Sequence, residues 1–185
     1  GATTEFNKME GVTVDREDRK VYIAMSRIEE GMLANPDDPA DQIKLPEHSA
    51  GGVYVLTTAT EAKDSEGNPI ASEWAAVSMA GVPQLMGVDL AESDALGNTA
   101  DPEHIAEPDN LAFLPGMRTL FIDEDSGRHI NNFMWAFNVD TGKLARVASG
   151  PAGAELTGLN VVGDWNGFAY VLTSFQHQGD GIDDF

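Results

Sequence analysis

Three acidic residues open similar apolar segments and are the first candidates for chemistry. Glu10 begins an alternating segment, Asp109 stands 99 positions later before a similar one, and Glu155, slightly shifted, begins a third. Carboxylates that converge without a cation repel one another, which raises their pKa values. Hard cations prefer carboxylate oxygens, so the pattern indicates a metal site. The structural alternative is that each acid caps a turn or binds the backbone of a neighbouring strand.

Other polar residues carry weaker signals. The run from Asp123 to Gly127, which includes Asp125, resembles a calcium loop in composition but lacks the acidic spacing of an EF-hand. Asn132 lies where a loop meets a strand, where it could donate to a phosphate or cap the turn. His177 follows an apolar segment, a place where a lone histidine is more often structural than a ligand. The sequence contains no GxSxG, Walker or HExxH motif.

Short apolar segments separated by polar turns must position these residues. Their alternation with period two predicts β-strands, and Asp140–Gly142 predicts a hairpin turn. A short helix is predicted near residues 102–106. The predicted strands are Glu10–Val14, Val21–Met25, Val53–Thr58, Glu73–Met79, Asn110–Phe113, Thr119–Ile122, Asn132–Phe137, Leu144–Val147, Leu156–Val162 and Phe168–Phe175.

The strand segments repeat. Val12 and Ile23 match Leu111 and Ile122 at the same offset of 99, and Leu159 and Leu172 provide a third match. Units of about 40–50 residues with four strands are typical of β-propeller blades, although strands of a β-sandwich also alternate. We therefore expect an all-β fold of two full blades and part of a third, from a six-bladed propeller. The boundaries are blade 1 about 6–80, an insertion about 81–107, blade 2 about 108–150 and a partial blade 3 about 151–185.

The composition excludes several classes of function. The 185 residues include 31 acids and 11 bases, giving a net charge of −20, and there is no cysteine. Nucleic-acid phosphates and anionic membrane surfaces require a basic face. Disulfides and cysteine-ligated zinc require cysteine. No segment approaches the roughly 18 apolar residues of a membrane span. We expect a periplasmic or secreted protein, for which this acidity is suitable.

Four motifs, in order, resemble the PhoX-type alkaline phosphatases. The opening FNKMEGVTVDREDRKVYIAMS has that family's Phe-x-x-x-Glu followed by two strands, and EPDNLAFLPGMRTLFIDED is similar to its Pro-Asp-(Gly/Asn)-Leu blade start. NNFMWAFNVDTGKLARVASGPAGAELTGLNVV resembles the following hairpin and its Gly-Pro-x-Gly-x-Glu-x-Thr-Gly segment. YVLTSFQHQGD resembles the Gln-His-Pro-Gly-Glu segment, with Gln178 and Asp180 as departures.

The resemblance implies a propeller whose channel holds calcium and ferric iron and hydrolyses phosphate monoesters. It implies that Glu10 and Glu155 are metal ligands, that Asp109 and Asp125 occupy matching acidic positions, and that Asn132 and His177 lie near the site as substrate or outer contacts. No residue is assigned as catalytic. The family's cysteine ligand belongs to an earlier blade, so we expect the iron site to be incomplete and this chain alone to be inactive.

A non-enzymatic function is the competing hypothesis. The chain would then be a calcium-stabilised propeller module outside the cytoplasm that serves binding or assembly. In both cases the expected partners are further blades or a second copy, because an open propeller exposes apolar faces and strand edges.

Arg118 and Arg128 are the candidates for a basic contact with phosphate, with a surface role as the alternative.

Overall fold

The computed structural model describes residues 4–181 and confirms an all-β fold. Two short 3-10 turns, Glu30–Met32 and Pro115–Met117, accompany the strands. The ten strands are β1 Met9–Asp15, β2 Lys20–Met25, β3 Gly52–Ala59, β4 Ala75–Met86, β5 Pro108–Leu114, β6 Thr119–Glu124, β7 Asn131–Asn138, β8 Lys143–Ala152, β9 Glu155–Trp165 and β10 Phe168–Gln176.

The strands form three antiparallel sheets in chain order. The first sheet has the order β1-β2-β3-β4, the second β5-β6-β7-β8, and the third contains β9 and β10. Within each sheet, every strand pairs with its neighbours in the chain. In the turn between β1 and β2, Asp15 accepts hydrogen bonds from the backbone of Glu17 and Asp18. The propeller ring and its blade boundaries stay predictions, and residues 182–185 of the predicted third blade lie outside the described residues.

Strand pairing repeats at the spacing read from the sequence. Val12 pairs with Ile23 and Leu111 pairs with Ile122, and both hairpins have a bulge just after their opening acid. In the third sheet Leu172 pairs with Asn160, the residue after Leu159 of the sequence match. Gly158 has a φ of +67°, and the irregularity around it shifts the register by one residue.

Both faces of the second sheet are buried. Tyr22 and Val53 of the first sheet pack with Leu120, Ile122 and other side chains on one face. On the opposite face, Phe121 and Met134 pack against Leu156, with Leu159 and Val161 partly buried beside them. The alternation along β6 therefore places successive side chains in two different cores.

Two predictions for residues 81–107 are wrong. Residues 81–86, assigned to an insertion, continue β4 to Met86, because a register irregularity between the Gly52 and Tyr54 pairings accommodates Pro83. The predicted helix at 102–106 is absent, and the segment consists of turns and irregular backbone. Hydrogen bonds to other parts of the chain hold the end of this segment: Ala106 N donates to the Glu124 carboxylate, and Glu107 N donates to the carbonyl of Ala50.

The loop between β2 and β3 covers part of the outer face of the first sheet. Met32 and Ile28 are buried there against Met25, with Tyr54 and Met86 packed beside them.

Within residues 4–181 no helix has the length and apolar character needed to cross a membrane.

Candidate functional site

A pocket of about 380 Å³ lies at the end of the second and third sheets. It forms where β6 ends, β7 begins, β8 ends, β9 begins and β10 ends. Four of the six predicted site residues line it: Asp125, Asn132, Glu155 and His177. The antiparallel order brings these separate positions to one edge because alternate strands begin and end there.

Glu10 and Asp109 lie beside the pocket rather than in its wall. Both stand at strand starts on the same end of their sheets. Burial raises the pKa of Asp109, and the charges of Glu10 and Asp125 raise it further. The Glu10 carboxylate is 3.1 Å from the Lys8 ammonium group. The structure therefore places the predicted acids close enough to influence one another.

The pKa of Glu155, inside the pocket, is also raised by its surroundings. Burial is the largest cause, and the negative charge of Asp125 and a hydrogen bond between the two side chains raise this pKa further. His177 acts in the opposite direction on the same carboxyl group, although its own side chain is largely exposed. Such a group of acids favours cations over anions.

The acids do not form a finished coordination shell. Within residues 4–181, no three carboxylate or histidine side chains lie close enough together to hold a metal ion as they stand. Metal binding at this end of the sheets would therefore require the pocket side chains to rotate towards one another.

Asn132 holds the turn that carries Asp125. Its Oδ1 accepts a hydrogen bond of 2.5 Å from Ser126 N, and its Nδ2 donates to Ser126 O at 3.0 Å. Both ends of the amide are thus occupied and the side chain is buried. Of the two expected roles, these contacts favour positioning over direct contact with a substrate.

A buried carboxylate next to Asp125 was missed by the sequence analysis. Glu124 accepts hydrogen bonds from Ala106 N at 2.9 Å, Phe133 N at 2.9 Å and Trp135 Nε1 at 2.7 Å, and His129 Nδ1 lies 3.0 Å away. Burial raises its pKa, while the contacts with His129 and Trp135 lower it. The sequence did contain a signal for this burial. Glu124 follows Leu120 and Ile122 at intervals of two residues, so it lies on the same core-facing side of β6.

The arginine candidates for phosphate binding are occupied elsewhere. Arg118 bridges the turns at the opposite end of the sheets, binding Asp15 at 2.9 Å, Asp18 at 2.7 Å and Asp140 at 3.0 Å. Arg128 donates to the carbonyl of Ser49 at 3.0 Å and faces Asp89. Neither lines the pocket.

The sequence matches no protein-family model, and comparisons with the curated proteins and with the solved structures find no match. The PhoX-type resemblance therefore depends on the four motifs alone. The family assignment stays a prediction.

Proposed function

We propose that this chain is part of a calcium-binding β-propeller of the PhoX type, and that the complete propeller hydrolyses phosphate monoesters outside the cytoplasm. The observation that carries the proposal is the gathering of Glu10, Asp109, Asp125 and Glu155 at one end of successive sheets. Glu10, Asp109 and Glu155 are the acids that both the repeat and the motifs single out, and Asp125 is indicated by the motifs.

The packing of the sheets supports the propeller. In a two-layer sandwich each sheet buries one face against a single partner. Here the second sheet is covered on both faces by different sheets. Propeller blades stack in this way around an axis, with their innermost strands starting at one end.

The residues fit calcium better than iron. Carboxylate oxygens that repel one another are suitable ligands for a hard divalent cation. The implied iron site includes a cysteine, and the chain contains none. The residues of this chain therefore do not complete the implied iron site.

In the proposed site, bound calcium would supply positive charge that neutralises the phosphate oxygens. The chain's own residues would have distinct roles around it. Glu155 and Asp125, whose side chains are hydrogen-bonded to each other, would provide oxygen ligands from the pocket wall, with Glu10 and Asp109 beside them. Asn132 would keep the turn after β6 in place through its two hydrogen bonds to Ser126.

One observation favours the non-catalytic alternative. Lysine and arginine are absent from the described pocket wall, so direct recognition of a phosphate would depend on bound cations or on residues outside this chain. A calcium-stabilised module for binding or assembly would need no such basic group.

The phosphatase and the non-catalytic module predict different results in an assay of phosphate-ester hydrolysis. We expect the full-length protein containing this segment to hydrolyse p-nitrophenyl phosphate in the presence of calcium and iron, and Glu155→Gln to abolish that activity. Glu61→Gln, at the opposite end of the first sheet, is the matched control and should retain activity. Calcium binding without turnover under any metal condition would exclude the phosphatase and leave the module.

A further inference from the structure

The outer face of the first sheet leaves an apolar strip uncovered. Thr13 Oγ1 accepts a hydrogen bond from Phe113 N, so Thr13 faces the second sheet and its neighbours Val12 and Val14 point away from that sheet. Both valines are exposed, and Val14 lines an open hollow together with Trp74. The loop after β2 covers a different part of this face. Val12, Val14 and Trp74 therefore mark the free face of the first sheet.

The third sheet also has a face that no other sheet covers. Thr173 donates a hydrogen bond to Asp123 and so faces the second sheet. The alternate residues Phe168, Tyr170 and Leu172 point away from the second sheet and are exposed, and they mark the free face of the third sheet. Because the second sheet lies between the other two, the two free faces lie at opposite ends of the stack.

The contact between the first and second sheets shows how two successive sheets are joined. Apolar side chains of both sheets pack together. Beside them Arg118, in the turn between β5 and β6, binds Asp15 at 2.9 Å and Asp18 at 2.7 Å, next to the turn between β1 and β2. An arginine of the later sheet thus binds acids of the earlier sheet at the edge of an apolar contact.

Arg19 is the counterpart of Arg118 on the free face of the first sheet. It stands 99 positions earlier, and the two residues have φ values of +54° and +50°. Each carbonyl accepts a hydrogen bond from the third strand of its own sheet or the residue after that strand, from Thr58 N for Arg19 and from Val139 N for Arg118. The Arg19 guanidinium lies 5.7 Å from the centre of the Trp74 ring. It is therefore placed to bind an acid of a sheet that packs on this face.

Asp164 is the counterpart of Asp15 in the third sheet. Each lies where the first strand of its sheet ends, and each accepts a backbone hydrogen bond from the residue three positions later, Asp18 for Asp15 and Gly167 for Asp164. Asp164 is exposed. The third sheet therefore presents an acid at the position where the first sheet presents Asp15 to Arg118.

We propose that the free face of the first sheet docks on the free face of the third sheet of a second copy, with Arg19 of one copy binding Asp164 of the other. A second copy is the occupant because the chain carries both halves of the contact, and the new contact repeats the one between its first and second sheets. Such a head-to-tail contact joins copies into rings or open chains. It involves neither calcium nor a phosphate ester, so it goes beyond the proposed function.

Two variants, each blocked at one free face, test the head-to-tail arrangement in sedimentation equilibrium with a chelator present. Val14→Lys and Leu172→Lys should each weaken association by at least about tenfold, because a lysine lies in the apolar contact. A mixture of the two should form a one-to-one complex, because each variant keeps the face that the other has lost. Val147→Lys, the same change at an exposed position of β8, is the control and should associate as the unsubstituted chain does.

Two results would overturn the proposal. One is a mixture that stays monomeric at concentrations where the unsubstituted chain associates. The other is a Val14→Lys chain that associates as strongly as the unsubstituted chain, which would mean that copies meet through their third sheets alone.

Reversal of the two charges tests the ion pair separately. Arg19→Asp and Asp164→Arg should each weaken association by about tenfold, because like charges then face each other across the contact. The double variant Arg19→Asp/Asp164→Arg keeps the net charge of −20 and should recover the association of the unsubstituted chain to within about threefold.

Lys143→Asp, which makes the same charge change as Arg19→Asp but on the second sheet, is the control and should change association by less than about threefold. A double variant that associates no better than the single variants would contradict the pairing of Arg19 with Asp164. If Val14→Lys fails to fold, these charge variants still decide the question.

Discussion

Asp123 illustrates how one buried residue links protonation to stability. It lies on β6 facing the third sheet, where Thr173 Oγ1 donates to its Oδ2 at 2.6 Å and its Oδ1 has no partner among the described residues. Burial is the main cause that raises its pKa to about 7, and the charges of Asp109 and Glu124 add to the effect. The folded protein therefore holds this proton more tightly than the unfolded chain.

We predict that Asp123 makes the protein less stable as the pH rises. Between its ordinary value of 3.8 and about 7, the unfolded chain loses the proton first, so the free energy of unfolding falls with pH and levels off above 7. Asp123→Asn, which resembles the protonated acid, should remove a decline of about 2–4 kcal/mol. Urea unfolding at pH 5 and pH 8, with a chelator present, measures this fall in the free energy of unfolding.

Asp37→Asn, on the exposed surface of the loop after β2, is the control for this experiment. It should leave the decline with pH unchanged. If the stability difference between Asp123→Asn and the unsubstituted chain is the same at both pH values, Asp123 does not hold a proton in the folded state.

The strands could be predicted from the sequence, whereas several details of their packing could not. Short apolar segments between polar turns located all ten strands. Strands such as β1 alternate because one face is exposed, whereas β6 is apolar over consecutive positions because both of its faces are buried. The extension of β4 was missed because Gly81 and Pro83 resemble a strand end. The burial of His129 could not be predicted, since it depends on Glu124 and Phe133, which only the folded sheet brings to it.

The close packing of β1 against β5 is predicted to depend on Gly11 in β1. A Cβ at this position would lie 2.3 Å from Asp109 O and 2.7 Å from Leu111 N, both backbone atoms of β5. Gly11→Ala should lower the free energy of unfolding by about 1–3 kcal/mol, because the sheets must separate to admit the methyl group. Urea unfolding midpoints provide the measurement.

Gly116→Ala is the control for this contact, since a Cβ there would meet no atom within 4 Å. Its effect should be within about 0.5 kcal/mol. Equal stability of the two variants would mean that β1 and β5 do not approach as closely as described.

At the scale of the whole molecule, the third sheet presents uncovered apolar surface. Phe168, Tyr170 and Leu172 are alternate residues of β10 and are 66%, 47% and 51% exposed. Among the described strands β10 pairs only with β9, so its other edge has no strand partner. An apolar face beside an open edge is a surface that tends to associate.

We predict that the isolated chain self-associates through this sheet, more strongly at high salt because salt screens repulsion between copies of net charge −20. Sedimentation equilibrium at low and high salt measures the association. Leu172→Lys should weaken it, whereas Thr60→Lys, which adds the same charge at an exposed polar position, should not. A monomer at every concentration and salt level would contradict the prediction.

Calcium titration calorimetry of the chelator-treated chain tests the central claim most directly. The unsubstituted chain should bind calcium, and the double variant Asp125→Asn/Glu155→Gln should bind it at least about tenfold more weakly, because ligand charge sets calcium affinity. Asp37→Asn/Glu61→Gln, which removes the same charge outside the pocket, should bind as the unsubstituted chain does. Absence of calcium binding, or equal affinity in both double variants, would contradict a cation site at this end of the sheets.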